Sequence, residues 1–450
     1  MRELVSVMAV AVAAGTVSAG KARAQGQPGR VPLSLAQAVQ QAAARAPAVQ
    51  EAGYQVDQSA AQAGQTRSEL LPSLSATGAW FNHSVTLAST GFQTVLPPGG
   101  GLSFPSLIGP YSNLDARLRV TQSLVDLSGW ERWRAARIGT EGSRAERDAT
   151  IQGAAVTAAL AYLQAVQSAS LLAARRQDAE LAAELQSLAE SQLAAGVSTP
   201  LDLTRSKTQA AEARSELLVA ENARRKADIT LALALGQDPA TRYALTDTLS
   251  GDLGTSAASA DTTAALDLAL RNRPDLAAVV AQGDRARAER RAIATERLPR
   301  LDFAADFGPN GSTLGSTINT RDLALEVTVP LLNGFRREAQ SAEQTAVERA
   351  SDVRAADLRR HIAAQVRAAL LDLASGAQEH DVAVQRLALA EEELSQARAR
   401  FESGVTGNID VINAQVTLNQ ARDAEINTRF ATAAARVQLA YAAGAAVTIH

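Results

Sequence analysis

From Trp130 to Ala195 the chain runs without proline, and apolar residues return at helical spacing, as Leu160 and Leu163 and again as Leu181, Leu185 and Leu188. Such a run predicts a helix of roughly 100 Å at about 1.5 Å per residue. The same pattern returns from about Phe335 to Ser403. Two further helical segments, at about Ser34 to Leu71 and Leu201 to Leu235, are each near half that length. Stacked end to end, they would match one long helix. These lengths exceed the thickness of an ordinary domain and predict a helical cylinder or a coiled coil.

Between the helices the period changes to two. Leu114, Ala116, Leu118 and Val120 alternate with Asp115, Arg117, Arg119 and Thr121, and Leu323, Leu325, Val327 and Val329 alternate with Asp322, Ala324, Glu326 and Thr328. Leu301, Phe303, Ala305 and Phe307 against Asp302 and Asp306 repeat the pattern, as do Leu74, Ala76, Gly78 and Trp80 against Ser75 and Thr77. Each strand has one greasy face and one polar or charged face, over about 8 to 10 residues, close to a tilted bilayer span. Alternation alone fits a half-buried soluble sheet equally well. Strand length, charged inner faces and an export signal together favour a membrane barrel wall. Four strands cannot close a barrel, and an open edge has no partners in lipid, so other chains must supply the rest. Three chains give twelve strands, wide enough to conduct.

The chain says nearly the same thing twice. Gly196-Val197-Ser198-Thr199-Pro200-Leu201-Asp202 returns 208 positions later as Gly404-Val405-Thr406-Gly407-Asn408-Ile409-Asp410, and Leu71-Pro72-Ser73-Leu74 returns 227 positions later as Leu298-Pro299-Arg300-Leu301. Ala46-Pro47 likewise recurs as Arg273-Pro274. The shrinking offset predicts about 20 extra residues in the first copy, in the loop around Pro97 to Gly101. Gly196 and Gly404 sit where left-handed helix caps are wanted, and Thr199-Pro200 supplies an N-cap with proline at the first helical position. Pro72, Pro299 and Pro330 stand where helix and strand meet. The expected division is a signal peptide at 1–24, repeat one at 25–237 with a strand pair at about 73–126, a linker at 238–262, and repeat two at 263–450 with a strand pair at about 300–330.

Composition narrows the chemistry. Aromatic residues make up 4%, and alanine and leucine dominate, which suits long helices packed on small side chains. The absence of cysteine excludes disulfides, thiol catalysis, thiolate metal ligands and a lipidated N-terminal cysteine. A net charge of −3 without a sustained basic run gives nucleic-acid binding no support. The first 24 residues read as a secretory signal, with an apolar stretch from Leu4 to Ala14 and cleavage offered after Ala19 or Ala24. No later run approaches 18 uninterrupted apolar residues, so no transmembrane helix is expected.

No catalytic site, metal site or cofactor is expected. His83, His361, His380 and His450 are scattered, and the nearest pair would lie about 28 Å apart on one helix. No G-x-x-x-x-G-K, G-x-S-x-G or H-E-x-x-H occurs. Glu391, Glu392 and Glu393 read as a solvated helix face. Trp130 and Trp133, just after a strand, fit either a periplasmic-side aromatic girdle or core packing.

The L-P-x-L helix exits, the V-P-L-L-N-G strand exit at Val329 to Gly334 and the hairpin A-R-A-R-F-E-S-G-V-T-G-N-I-D-V-I-N-A at Ala397 to Ala414 resemble the TolC family of outer-membrane efflux proteins. The resemblance covers nearly the whole mature chain. It implies a mainly α protein with a small β part: a tandem repeat whose homotrimer joins an α-helical barrel to a 12-stranded membrane β-barrel, four strands per chain. It further implies the outer membrane of a Gram-negative bacterium, surrounding outer-membrane lipid, no catalysis, and docking by a periplasmic adaptor protein to an inner-membrane pump. By position, Gly404 and Arg400 belong to the adaptor-docking tip, with Gly196 and Gln192 as counterparts in repeat one. Repeat one departs from the pattern in having Gln192 for Arg400, and Ser123 where the strand exit often has proline. Asp410 matches an acidic ring at the pore entrance, Asn413 stands where a second aspartate is found, and Asp202 is the equivalent of Asp410 in repeat one. For both aspartates the alternative is a carboxylate that merely favours a helix N-terminus. Three functional readings stay open: a duct for small molecules, a type I protein secretion duct, and an envelope coiled-coil protein without transport.

Overall fold

The computed structural model describes residues 31–86, 107–249, 253–254, 261–403 and 405–449. The expected signal peptide, the centre of the Gly/Pro loop, part of the 238–262 linker, Gly404 and His450 lie outside the described residues. In chain order the elements are β1 (Val31–Leu33), α1 (Leu35–Arg45), α2 (Pro47–Ser68), β2 (Ser73–Thr86), β3 (Leu107–Val125), α3 (Leu127–Ala194), α4 (Pro200–Ala234), β4 (Tyr243–Leu245), α5 (Thr262–Asn272), α6 (Pro274–Thr295), β5 (Arg300–Gly311), β6 (Ile318–Thr328), α7 (Arg336–Glu402) and α8 (Ile409–Ala442). The molecule is mainly α with a small β part, as expected.

The long helices α3 and α7 have 68 and 67 residues, about 100 Å each. The half-length helices differ from expectation in one respect. The run from Ser34 to Leu71 is two helices, because Pro47 forces Ala46 out of the helical region to ψ 137°, and Pro274 does the same to Arg273 at ψ 111°. Each proline then opens the next helix at its first position, where a missing N–H costs nothing.

End-to-end stacking rests on two glycines. Gly236, with φ +66°, follows α4 and lies so close to the start of α2 that a Cβ there would meet Pro47 Cδ at 3.0 Å. Gly444, with φ +72°, follows α8, and a Cβ there would lie 3.0 Å from the Asn272 carbonyl just before α6. A side chain at either place would wedge the stacked helices apart. The end of α4 therefore meets the start of α2, and the end of α8 meets the start of α6.

The joints are wrapped by the largest core. Leu35, Val39 and Ala42 of α1 pack with Ala155, Ala159, Tyr162 and Leu163 of α3, Leu231 and Leu235 at the end of α4, and Val437 of α8. The Tyr162 hydroxyl lies 3.0 Å from the Leu33 carbonyl and 2.9 Å from Asp247 Oδ2, its single proton shared between these two acceptors, and the same carboxylate accepts from the Leu35 N–H at 2.7 Å. Burial pushes the Tyr162 phenol up to about 12. β1 pairs with β4 in parallel beside this core, a two-strand sheet that the sequence pattern did not reveal. One 18-residue window of α3 reaches a mean hydropathy of 1.3, enough by composition to cross a membrane, but 56% of that window is buried inside the molecule. The core accounts for its apolarity.

The second sheet has the antiparallel order β2-β3-β5-β6, leaving one edge of β2 and one of β6 unpaired among the described residues. Its register places Leu118 opposite both Ala76 and Phe307, and Phe303 opposite Leu325. All four apolar rows therefore share one face. The β2 and β3 strands, at 14 and 19 residues, exceed the 12 and 11 of β5 and β6. Part of the first copy's excess is thus strand rather than loop.

Candidate tunnel mouth and docking tip

The four-stranded sheet is inside out by the standards of a water-soluble protein. Leu323 is 73% exposed, whereas the side chain of Asp306 on the opposite face is 14% exposed. Arg117 is the hub of that sheltered face, with Asp306 at 2.6 Å, Asp115 at 2.9 Å and Asp322 at 3.4 Å. Arg119 and Arg300 add pairs to Asp306 and Asp302 at 3.5 and 2.7 Å. Greasy residues outside and paired charges inside fit a wall with lipid on one side and water on the other.

At the junction below β3, Asp126 caps α3 by accepting from the Gly129 N–H at 2.9 Å. Trp130 and Trp133 follow, their rings edge to face at 5.2 Å, with the Arg137 guanidinium 5.2 Å from the Trp133 ring. Trp130 is exposed and Trp133 half-buried.

At the far end, the helix pairs close as coiled-coil hairpins. Ala390, Leu394, Ala397 and Phe401 of α7 face Val411, Ala414, Leu418 and Ala421 of α8, with the alternating three- and four-residue steps of a heptad seam. The first hairpin is seamed by Ala182 of α3 with Ala210 and Ala213 of α4. Both turns finish with the same backbone bond: the Val197 N–H donates to the Gln192 carbonyl at 3.0 Å, and the Val405 N–H to the Arg400 carbonyl at 3.0 Å. Gly196 supplies the left-handed residue in the first turn, at φ +74°. Because the bond uses carbonyls, the difference between Gln192 and Arg400 leaves the turns alike. Arg400 is exposed and Gln192 half-buried. Each turn also presents an exposed apolar pair at equivalent positions, Val197 and Leu201 in one and Val405 and Ile409 in the other.

The two aspartates part company. Asp202 is drawn into a capping box, accepting from the Thr199 hydroxyl at 2.7 Å and the Thr199 N–H at 3.3 Å, while its own N–H donates back to Thr199 Oγ1 at 3.2 Å. The Thr199 hydroxyl holds its carboxyl below the usual range, helped by Ser198 and by Arg205 at 3.9 Å. Asp410 lies in the first turn of α8, exposed, with no hydrogen bond or ion pair among the described residues. Asn413, one turn on, is also exposed.

Sequence reasoning missed what joins the two hairpins. Asn408 is buried, and its amide donates to the Asp202 carbonyl at 2.6 Å and to Ser206 Oγ at 2.9 Å. Its counterpart in repeat one is Pro200, which has no side-chain donor, so comparing the copies position by position would have exposed it. Farther from the tip, Asp178 of α3, 1% exposed, is held by Arg175 at 3.0 Å and by Arg422 of α8 at 3.1 Å, and Arg175 also pairs with Asp423 of α8. Burial pushes the Asp178 carboxyl up against the pull of both guanidiniums.

Comparisons with known proteins agree with this geometry. The family model described as outer membrane efflux protein matches residues 38–237 and 265–445. No curated protein matches significantly. Among solved structures, the Campylobacter jejuni CmeC outer membrane channel is 16% identical, with a TM-score of 0.77 over 92% of this chain and 86% of that one. A membrane protein from Pseudomonas aeruginosa is 20% identical, with a TM-score of 0.78 over 91% and 92%. The open state of the Neisseria gonorrhoeae MtrE outer membrane channel is 19% identical, with a TM-score of 0.70 over 92% and 89%. These likenesses show a shared fold, and that fold is one of channel proteins. With the family model spanning both repeats, the chain belongs to the outer membrane efflux protein family.

Proposed function

We propose that three copies of this chain close a twelve-strand barrel in the outer membrane and a helical tunnel below it, forming the passive exit duct of a tripartite export system. The observation that carries this reading is the inside-out sheet with two unpaired edges: in lipid, those edges need strands from other copies. A row of exposed apolar residues on α7, Val353, Leu371, Val382 and Leu389, recurs at intervals of 18, 11 and 7 residues, all close to whole helical turns, and gives neighbouring copies a seam to bury. The mass of the detergent-solubilised protein tests the assembly, with three chains expected. A stable monomer or a two-chain mass overturns it.

The tip is the docking surface for a periplasmic adaptor, which links the duct to an inner-membrane pump. Val197, Leu201, Val405 and Ile409, carried on the two hairpins and open to solvent, support this assignment, with Gly196, Gln192 and Arg400 at the turns and Gly404 assigned with them from its place in the sequence. Val197→Asp combined with Val405→Asp is expected to abolish export in cells while the trimer still assembles. Undiminished export by an assembled double variant would refute docking at this surface. The cargo is small molecules, selected by the pump rather than by the duct, and the unpartnered Asp410, with Asn413 beside it, rings the pore entrance.

A further inference from the structure

On β6 the lipid-facing apolar row is too short if it ends with the strand. On β6 the outward positions Leu323, Leu325 and Val327 are bounded above by Arg321, which shares their face opposite Phe307. From Leu323 to Val327 is about 13 Å along the strand, or about 10 Å along the membrane normal at a tilt of about 40°, against an apolar band of about 25 Å. The shortfall must be made up on the periplasmic side, since Asn319 and Arg321 occupy the outward row above.

The residues that follow supply what is missing. Pro330 ends the pairing, yet the apolar row continues at the same parity through Val329 to Leu331, which adds about 13 Å of chain if extended. Leu331 is 90% exposed, the most exposed of the large apolar residues described, with Leu332 at 80% and Phe335 at 73%. Phe335 opens α7 from the left-handed region, at φ +61°, with no side-chain cap. That conformation is uncommon for a residue other than glycine. Nothing among the described residues covers these side chains, and water is a poor neighbour for three of them together. The equivalent junction of repeat one exposes Leu127 and Trp130 just after β3, so both copies carry an apolar lip.

We propose that the turn between β6 and α7 is a membrane-inserted lip, with Leu331, Leu332 and Phe335 seated in the periplasmic leaflet of the bilayer. The inference rests on the reading that the four-stranded sheet spans the outer membrane. It places the membrane boundary at the helix starts rather than at the strand ends, and makes Leu331 and Phe335 companions of Trp130 in the girdle.

The chain has no cysteine, so single nitroxide labels can be placed without background. Full-length trimers carrying Leu331→Cys, Phe335→Cys, Leu325→Cys or Glu391→Cys would be reconstituted in phospholipid vesicles, and their collisions with oxygen and with a water-soluble nickel chelate compared. Leu325 serves as the lipid reference and Glu391 as the water reference. The expected result is loss of nickel collisions at Leu331 and Phe335 to the level of Leu325, with oxygen collisions retained. Nickel access at the level of Glu391 would overturn the proposal, as would shielding from both reagents, which would mean burial against another copy. If Leu325 itself proves open to nickel, the membrane-spanning reading fails and the lip fails with it. If Leu325 is lipid-exposed and Leu331 is not, only the lip fails.

Discussion

Asp202 and Asp410 occupy equivalent places in two copies of one motif, and their partners differ. Asp202 spends its oxygens on Thr199 and Ser198; Asp410 spends none among the described residues. Asp410→Ala is therefore expected to weaken cation selectivity and multivalent-cation block in bilayer recordings, with the trimer still folded. Asp202→Ala should leave conductance unchanged and cost the α4 helix start about 0.5 to 1 kcal/mol through the lost half of the capping box, the Thr199 cap itself remaining. Because the folded carboxyl of Asp202 lies below its ordinary value, its stabilisation is present above about pH 4 and is lost as pH falls through the folded value. Denaturant melts of parent and Asp202→Ala should accordingly differ at neutral pH and converge in acid. Tyr162 titrates in the opposite sense. A phenol raised to about 12 stabilises the fold fully below about pH 10, and that contribution disappears as pH rises through about 12. Tyr162→Phe should be less stable than the parent at neutral pH by about 1 to 2 kcal/mol, with the gap narrowing in alkali.

Among elements, regular periodicity was the legible part. The two long helices, the four strands and the apolar face of each follow from period alone, because a residue's side of a helix or strand is set by its spacing; that the four faces coincide needed the register. What lacked period stayed hidden. β1 and β4 are three residues each, too short to alternate, and pair across more than 200 positions of chain. The break at Pro47 was visible as a residue but not as a bend, since helical periodicity continues on both sides of it. Asn408 was hidden for another reason: a polar residue at a helix start is ordinary, and only the neighbouring hairpin makes it a clamp. Asn408→Ala should loosen the joint between α4 and α8 by about 1 to 2 kcal/mol, removing the amide that donates to the Asp202 carbonyl and to Ser206 Oγ. Faster hydrogen exchange of the first turns of α4 and α8, with the seam at Leu394 and Leu418 unchanged, would confirm it. Exchange unchanged at both turns would show that the hairpins hold together without it.

At the scale of the whole molecule, each chain is a third of a wall. The β2 and β6 edges are unsatisfied until a neighbour arrives, and a barrel with one gap is no barrel. In genetic terms this makes the gene vulnerable to poisoning. A copy that folds its own strands but cannot offer a pairing edge on β6 still presents β2, and so draws healthy copies into assemblies that never close. Expressed equally beside the parent, it leaves roughly one trimer in eight wholly normal, if copies mix at random. Such a mutation would be dominant, and the export defect of a mixed cell would be far deeper than the halving that loss of one gene copy brings.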